Sequence, residues 1–356
     1  MFVRACKALL RKQIHLSEFV YLFNGFILHT DNAWRPTASP GNIKLRALLL
    51  ARIRDFFSEH DILEVDTPAL SRAATTDPSL SSFTTCFHGP GPASGETLYL
   101  HTSPEYPMKR LLAAGLGSIY QICKVFRDGE SGRQHNPEFS MLEWYRTGFD
   151  HLDLMDEVET MLTGILSDIS PIKSVHHWSY RELLLEFAHV DAFDTSPAEL
   201  KSLLQDKHNI TPVGVSDTDL DTWLDLVMTH VVEPRLGKGL VFVRDYPASQ
   251  ASLARLRPGT PPVAARFEVY LNGMELANGF HELADASEQR QRLELECAQR
   301  EQAHAGPVRV DEHFLAALES GLPDCAGVAL GLDRLLMIAA GADCLGDVLA
   351  FPIDFA

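Results

Sequence analysis

One segment limits the possible folds more than any other. Residues 118–127 and 138–146 both read as strands, and the polar, glycine-containing stretch 128–137 joins them. The pair predicts an antiparallel hairpin whose connection is far longer than a turn requires, and loops of that size inside a hairpin usually carry function. In the second strand a period of two places Phe139, Met141, Glu143 and Tyr145 on one face. A flat ring, a carboxylate and a phenol on one sheet face can stack a base and hold an ammonium group. Taken alone, the same pattern reads more readily as an amphipathic strand with ordinary surface acids. Arg127, with Arg133 and His135 in the loop, adds positive charge where a triphosphate could lie.

The flanking segments predict more strands and their helices. Order is expected from about residue 38. Pro40, Gly41 and Asn42 punctuate the chain, and Asn42 can cap a helix. Leu45, Leu48, Leu49, Phe56 and Phe57 then recur at helical spacing as far as His60. A strand over 62–67 stops at Pro68. Residues 97–102 read as a strand and 105–114 as a helix. From about 150 to 235 the chain is mostly helical, with one apolar stripe through Met155, Val158, Met161, Leu162 and Ile165 and another through Trp223, Leu226 and Val227. This predicts a helical insertion within one domain. Residues 240–244 form a short strand. Residues 266–271, the Asn272-Gly273 turn and the residues from Met274 form a strand, turn and strand. Residues 288–304 read as a charged helix, and 328–339 as an apolar strand running into a helix. Antiparallel strands flanked by helices make the fold α+β.

Composition narrows the partners. The 48 Asp and Glu against 31 Lys and Arg give a formal net charge of -17. An acidic body is a poor platform for nucleic acid, whose affinity comes from cations neutralising phosphates. Hydrophobic residues at 46% can build a sizeable soluble core. Six cysteines (Cys6, Cys86, Cys123, Cys297, Cys325 and Cys344) show neither C-x-x-C nor zinc spacing, which predicts free thiols in a reducing cytoplasm. No apolar run is long enough to span a membrane. Arg4, Lys7, Arg11 and Lys12 precede an apolar stretch over 19–28 that imitates a signal peptide. Asn24 and Gly25 interrupt it and no cleavage site follows, so residues 1–37 are expected to be a poorly ordered extension.

Two further clusters bear chemistry. Asn278, Phe280 and Glu282 alternate onto one face, and Glu268 and Glu275 straddle the Asn272-Gly273 turn, where two carboxylates could hold Mg²⁺. The plain alternative is a solvated acidic hairpin. Gly331, Leu332, Asp333 and Arg334 form a G-x-D-R between apolar runs. Neither a P-loop nor a G-x-G-x-x-G is present, so any nucleotide site must be built differently.

In this order, the segments resemble those of class II lysyl-tRNA synthetases. I-L-E-V-D-T-P at 62–68 looks like motif 1, V-F-R through H-N-P-E-F at 125–139 like motif 2, and G-L-D-R at 331–334 like motif 3. M-L-E-W-Y at 141–145 and E-L-A-N-G-F-H-E at 275–282 look like the lysine-specific segments. The resemblance covers roughly residues 38–356. The stand-alone elongation factor P–(R)-β-lysine ligases are more similar still. T-S-P-E-Y at 102–106 and P-A-S-Q-A-S-L-A at 247–254 look like that family, whereas synthetases tend to have Pro where Ser252 stands. Synthetases also carry an N-terminal anticodon-binding barrel, and the residues before the first helix do not read as one.

The resemblance implies a class II catalytic domain over 38–356, dimeric through motif 1, that uses ATP and Mg²⁺. It implies that Arg127 holds the α-phosphate and the substrate carboxylate, and that Arg334 holds the γ-phosphate end. Asn136 and Phe139 would bind adenine, and Glu268 and Glu275 would ligate Mg²⁺. Asp128, Gly129, Arg133, His135, Leu276 and Gly331 would complete the ATP end. Ser103 and Glu105 would contact the amine near the carboxylate, with Glu143, Tyr145 and Glu282 on the distal ammonium and Asn278 on the carboxylate. Pro104, Phe280 and Ala329 would complete the substrate end. The expected substrate is (R)-β-lysine or lysine. The expected acceptor is a lysine side chain of elongation factor P, with no tRNA. One departure stands out. Motif 2 normally reads F-R-x-E, and here F-R-D-G-E at 126–130 puts Gly129 in the place of the Glu, with Glu130 next to it. A truncated synthetase that charges tRNA and a non-catalytic paralogue are the alternatives.

Overall fold

The computed structural model describes residues 34–91, 94–303 and 306–356. The expected extension lies almost wholly outside them. Its last residue is anchored, because Thr37 N donates to Ala350 O at 2.9 Å and its hydroxyl to Leu349 O at 2.8 Å. Along the chain run α1 (Pro40–Glu59), β1 (Leu63–Glu64), β2 (Leu70–Ser71), β3 (Thr84–Cys86), β4 (Thr97–Leu100), α2 (Glu105–Ala113), β5 (Ile119–Phe126), β6 (Glu138–Thr147) and α3 (His151–Leu166). There follow β7 (Val175–Ser179), α4 (Tyr180–Ala188), α5 (Pro197–Ser202), α6 (Leu220–Val227), β8 (Leu240–Pro247), β9 (Leu256–Arg257), β10 (Val263–Leu271) and β11 (Met274–His281). The chain closes with α7 (Ala286–Gln302), α8 (Glu312–Gly321), β12 (Cys325–Gly331) and α9 (Leu332–Ala340).

Among the described residues, nine strands form one sheet in the order β1-β5-β6-β12-β11-β10-β8-β7, with β9 on β10, and β2, β4 and β3 form a small second sheet. Pairing is antiparallel except at the two ends, β1 with β5 and β7 with β8. The predicted hairpin is β5–β6, in register from Ile119↔Tyr145 to Phe126↔Glu138. Strand β12 returns against β6, which places Ala329 opposite both Glu143 and Asn278.

Local chemistry sets the helix ends. Ser39, not Asn42, caps α1: its side chain accepts from Asn42 N, because Pro40 fits the first helical position. The predicted strand over 62–67 is only two residues of ladder, prolonged by Val65 N donating to Tyr120 O at 2.8 Å. The stretch 150–235 needs correcting in two ways. Helix α3 packs into the main core with Trp144, Leu142 and Val328 and is not part of an insertion. The unpredicted β7 is an edge strand, and the half-exposed Val175, His176, His177 and Trp178 gave it no clean alternation. Helices α4 to α6 bury Tyr180, Leu184, Trp223 and Val227 against Val241, Val243 and Tyr270 of the sheet. One face of β6, β12 and β11 rests on α1, α3 and α9, and the other opens to a cavity.

Candidate functional site

That cavity has a volume of about 570 Å³ and is lined by the inner face of β6, β11 and β12, the start of α2 and the loop between β5 and β6. Its two ends carry opposite charge.

At the cationic end, Arg127 leaves the top of β5 and lies over the Phe139 ring, 5.0 Å from its centroid, with Glu130 3.5 Å from its guanidinium. Arg334, at the start of α9, donates to Glu275 O at 3.0 Å, to the Glu275 carboxylate at 3.2 Å and to His135 Nε2 at 2.8 Å. Burial, then Arg334 itself, holds the His135 ring below its usual pKa, so its Nε2 is free to accept. Asp333 accepts from Ser140 N at 2.7 Å and pairs with Arg46, tying α9 to β6 and α1.

At the acidic end, Glu143 is buried, with its oxygens accepting from Tyr145 Oη at 2.6 Å and Ser103 Oγ at 2.8 Å. Ser103 Oγ in turn accepts from Glu105 N at 3.0 Å, which fixes the entry to α2. Glu282, also buried, is 2.5 Å from Lys109 Nζ, and the same ammonium is 2.5 Å from Glu105. Burial, then the Glu105 carboxylate, pushes Glu143 up to about 7. Burial pushes Glu282 up to about 8 against the pull of Lys109. An empty pocket of this kind keeps a proton near neutrality and gives it up to an entering cation.

Between the ends, Asn278 Oδ1 accepts from Arg266 Nε at 3.2 Å. With its oxygen committed, the remaining polar group of this side chain is its NH₂ donor, which suits a carboxylate.

The model of class II tRNA synthetases (D, K and N) matches residues 32–354. A protein of Vibrio vulnificus (strain YJ016) named elongation factor P–(R)-β-lysine ligase is 49% identical over 91% of this chain and 99% of its own length. Proteins of the same name from Edwardsiella ictaluri (strain 93-146) and Salmonella typhi are 49% and 47% identical, each over 91% of this chain and 98% of its own. The chain belongs to this ligase family, within the class II tRNA synthetases.

Most of the residues expected for such a ligase line the cavity: Arg127, His135, Asn136, Phe139, Glu275, Leu276, Gly331 and Arg334 at one end, and Ser103, Glu105, Glu143, Tyr145, Asn278, Phe280, Glu282 and Ala329 at the other. Five do not. Arg133 turns outward to Asp343. Asp128 sits on the outer loop, its N–H donating to Ser81 O at 2.8 Å. Gly129 takes φ +86, a turn conformation that a Glu would strain to adopt, so Glu130 is the loop carboxylate that reaches the cavity. Pro104 serves as the residue before α2. Glu268 is engaged by Arg266 Nη2 and Tyr270 Oη, both at 2.6 Å. Asn136 lines the cavity, yet its side chain is used on the backbone, donating to Glu138 O at 2.6 Å and accepting from Ile353 N at 3.0 Å. It shapes the cationic end of the cavity by holding the loop.

Three site residues were not anticipated: Lys109, Arg266 and the anchoring role of Asp333. The i, i+4 spacing of Glu105 and Lys109 was a visible signal, but nothing local says that the pair is buried.

A divalent cation fits this family's chemistry. Glu275 is recessed yet keeps 43% of its side chain open. Burial, then Glu268, raises its pKa, and burial, then Glu275, raises Glu233 to about 7. A recessed carboxylate crowded by other carboxylates is a hard oxygen donor that a divalent cation would stabilise. Mg²⁺ is usually held by one or two carboxylates plus substrate phosphates, so no all-protein cage is required. Among the described residues, no group of three or more His, Cys, Asp and Glu forms such a cage.

Proposed function

We propose that the chain activates (R)-β-lysine as its adenylate and transfers it to a lysine side chain of elongation factor P. One observation carries the reading: a single cavity joins a cationic nucleotide end to a buried end where Glu105 and Glu282 share one internal ammonium and Glu143 lies beside them, held by Ser103 and Tyr145. The names of the relatives support the same substrate and acceptor.

The amino-acid carboxylate, held between Arg127 and the Asn278 amide, attacks the α-phosphorus of ATP. The bond to the bridging oxygen breaks and pyrophosphate leaves toward Arg334. The side chains supply position and charge, and no protein nucleophile is needed. Mg²⁺, when bound, neutralises the phosphates, with Glu275 as the ligand facing the cavity; Glu268 joins it only by leaving Arg266 and Tyr270. The neutral amine of the acceptor then attacks the carbonyl carbon, the bond to the phosphate oxygen breaks, AMP leaves and the amine loses its proton. Glu130 beside Arg127 supplies the loop carboxylate that Gly129 lacks, which favours an active enzyme over a non-catalytic paralogue.

The acidic surface favours a basic protein segment over tRNA as acceptor. Edge strand β1, with Leu63 52% exposed, suits pairing with a second copy. No helix among the described residues is long and apolar enough to cross a membrane, and the proposed acceptor places the enzyme in the cytoplasm.

The test is one reaction containing ATP, labelled (R)-β-lysine, elongation factor P and tRNA. The expected result is label on the protein and bare tRNA. Labelled tRNA with unmodified protein would replace this reading with a truncated synthetase.

A further inference from the structure

Lys109 has no role in the reaction described above, yet it is the only cation among the described residues that pairs with the buried carboxylates of the acidic end. It projects from α2, one turn after Glu105, and its side chain is fully buried. Its Nζ is 2.5 Å from Glu105 on its own helix and 2.5 Å from Glu282 just beyond β11, and 5.8 Å from the Phe314 ring centroid on α8. One ammonium thus bridges the two carboxylates expected at opposite ends of a diamino acid.

The other groups around it set the charge count. Around it and its partners are Glu143 and Tyr145 of β6, Tyr106 of α2, Cys325 of β12 and Glu296 of α7, whose carboxylate accepts from Thr76 Oγ1. Burial pushes Cys325 up to about 12 and both tyrosines above their ordinary range, so these three stay neutral. Burial opposes the charge on Lys109, but Glu105 and Glu282 outweigh it and raise its pKa, so it stays charged. Glu105, Glu143 and Glu282, the carboxylates expected to meet the substrate, leave against the one ammonium a formal excess of two negative charges, matching the two ammonium groups of a diamino acid.

We infer that Lys109 is a positioning residue for substrate selection: it clamps Glu105 and Glu282 at a fixed spacing and sets the pocket to receive two ammonium groups. This rests on the proposed diamino-acid substrate and deepens it. Lys109 need not touch that substrate. Without it the three carboxylates repel one another, hold protons to higher pH and lose their spacing.

The test is Lys109→Met, which keeps the apolar stem, and Lys109→Arg, which keeps the charge. Pyrophosphate exchange is measured from pH 6.5 to 9, with ATP binding and the melting curve as checks on folding. In Lys109→Met the amino-acid KM should rise at least about tenfold at pH 7.5. Its pH midpoint should move up by about one unit, with ATP binding little changed. Lys109→Arg should keep the midpoint of the parent. A Lys109→Met protein with the KM and pH profile of the parent overturns the inference. So does a Lys109→Arg protein whose midpoint moves as far as that of the Met variant. If Lys109→Met does not fold, the parent still decides through calorimetry in two buffers. (R)-β-Lysine should release protons on binding, and the analogue without its distal amine should release measurably fewer. Equal release overturns the charge count. A parent that activates no diamino acid at all would instead overturn the proposed function.

Discussion

Ala329 lines the cavity and lies opposite both Glu143 and Asn278. Its methyl group raises the pocket floor by one carbon over what a glycine would leave there. A single carbon changes discrimination by about 1–3 kcal/mol. Ala329→Gly is therefore expected to shift the ratio of kcat/KM for (R)-β-lysine over α-lysine toward α-lysine by that amount, read from pyrophosphate exchange. An unchanged ratio would remove Ala329 from the selection of isomer. Ser252 shows how a residue difference reaches the backbone. Its φ of +50 is closed to proline, whose ring fixes φ near −65°, so the Pro of the synthetases cannot occupy this loop as it stands. The carbonyl of Ser252 also accepts from Arg292 at 2.8 Å, which holds the loop in that conformation.

At the scale of elements, strands β6, β12 and β11 can form the pocket floor only because β12 carries a glycine where the side chains converge. A Cβ at Gly327 would lie 2.3 Å from the Tyr145 ring and 2.5 Å from Glu282 Oε1. Both neighbours are buried, and Glu282 is held by Lys109, so neither can move cheaply. Gly327→Ala is expected to cost about 1–3 kcal/mol in stability, typical of overpacking. It should raise the amino-acid KM more than it raises the KM for ATP. A variant with parental melting temperature and kinetics would show that Tyr145 and Glu282 are freer than their contacts indicate.

For the whole molecule, the raised carboxylates make substrate binding and stability depend on pH together. Glu143 at about 7 and Glu282 at about 8 titrate well above the ordinary carboxylate value of 4.5. The folded protein then binds more protons than the unfolded chain between about pH 4.5 and 8. The contribution of these groups to stability therefore falls as pH rises through that window. A bound diamino acid reverses the sign, because its ammonium groups favour the ionised carboxylates. The amino-acid KM should fall by up to about tenfold between pH 6.5 and 7.5, and (R)-β-lysine should raise the melting temperature more at pH 8 than at pH 6. A KM flat across this range would mean that the pocket is already fully ionised when empty.

Elements that repeat a short period or carry a fixed turn were legible in the order of residues alone. Alternation placed Phe139, Met141, Glu143 and Tyr145 on one face of β6, and Asn272-Gly273 closed β10 on β11. Local spacing reaches only a few residues, so it placed the side chains of single strands on the cavity but not their partners across the fold, and the resemblance supplied most of the other expected lining residues. The burial of Lys109 between Glu105 and Glu282, the engagement of Asn136 and Glu268 by other protein groups, and the outward turn of Arg133 emerge only once the chain is folded. The physical reason is the same in each case. Whether a polar group serves the fold or remains free for a ligand depends on which distant donors and acceptors reach it, and on how much water the packing removes around it.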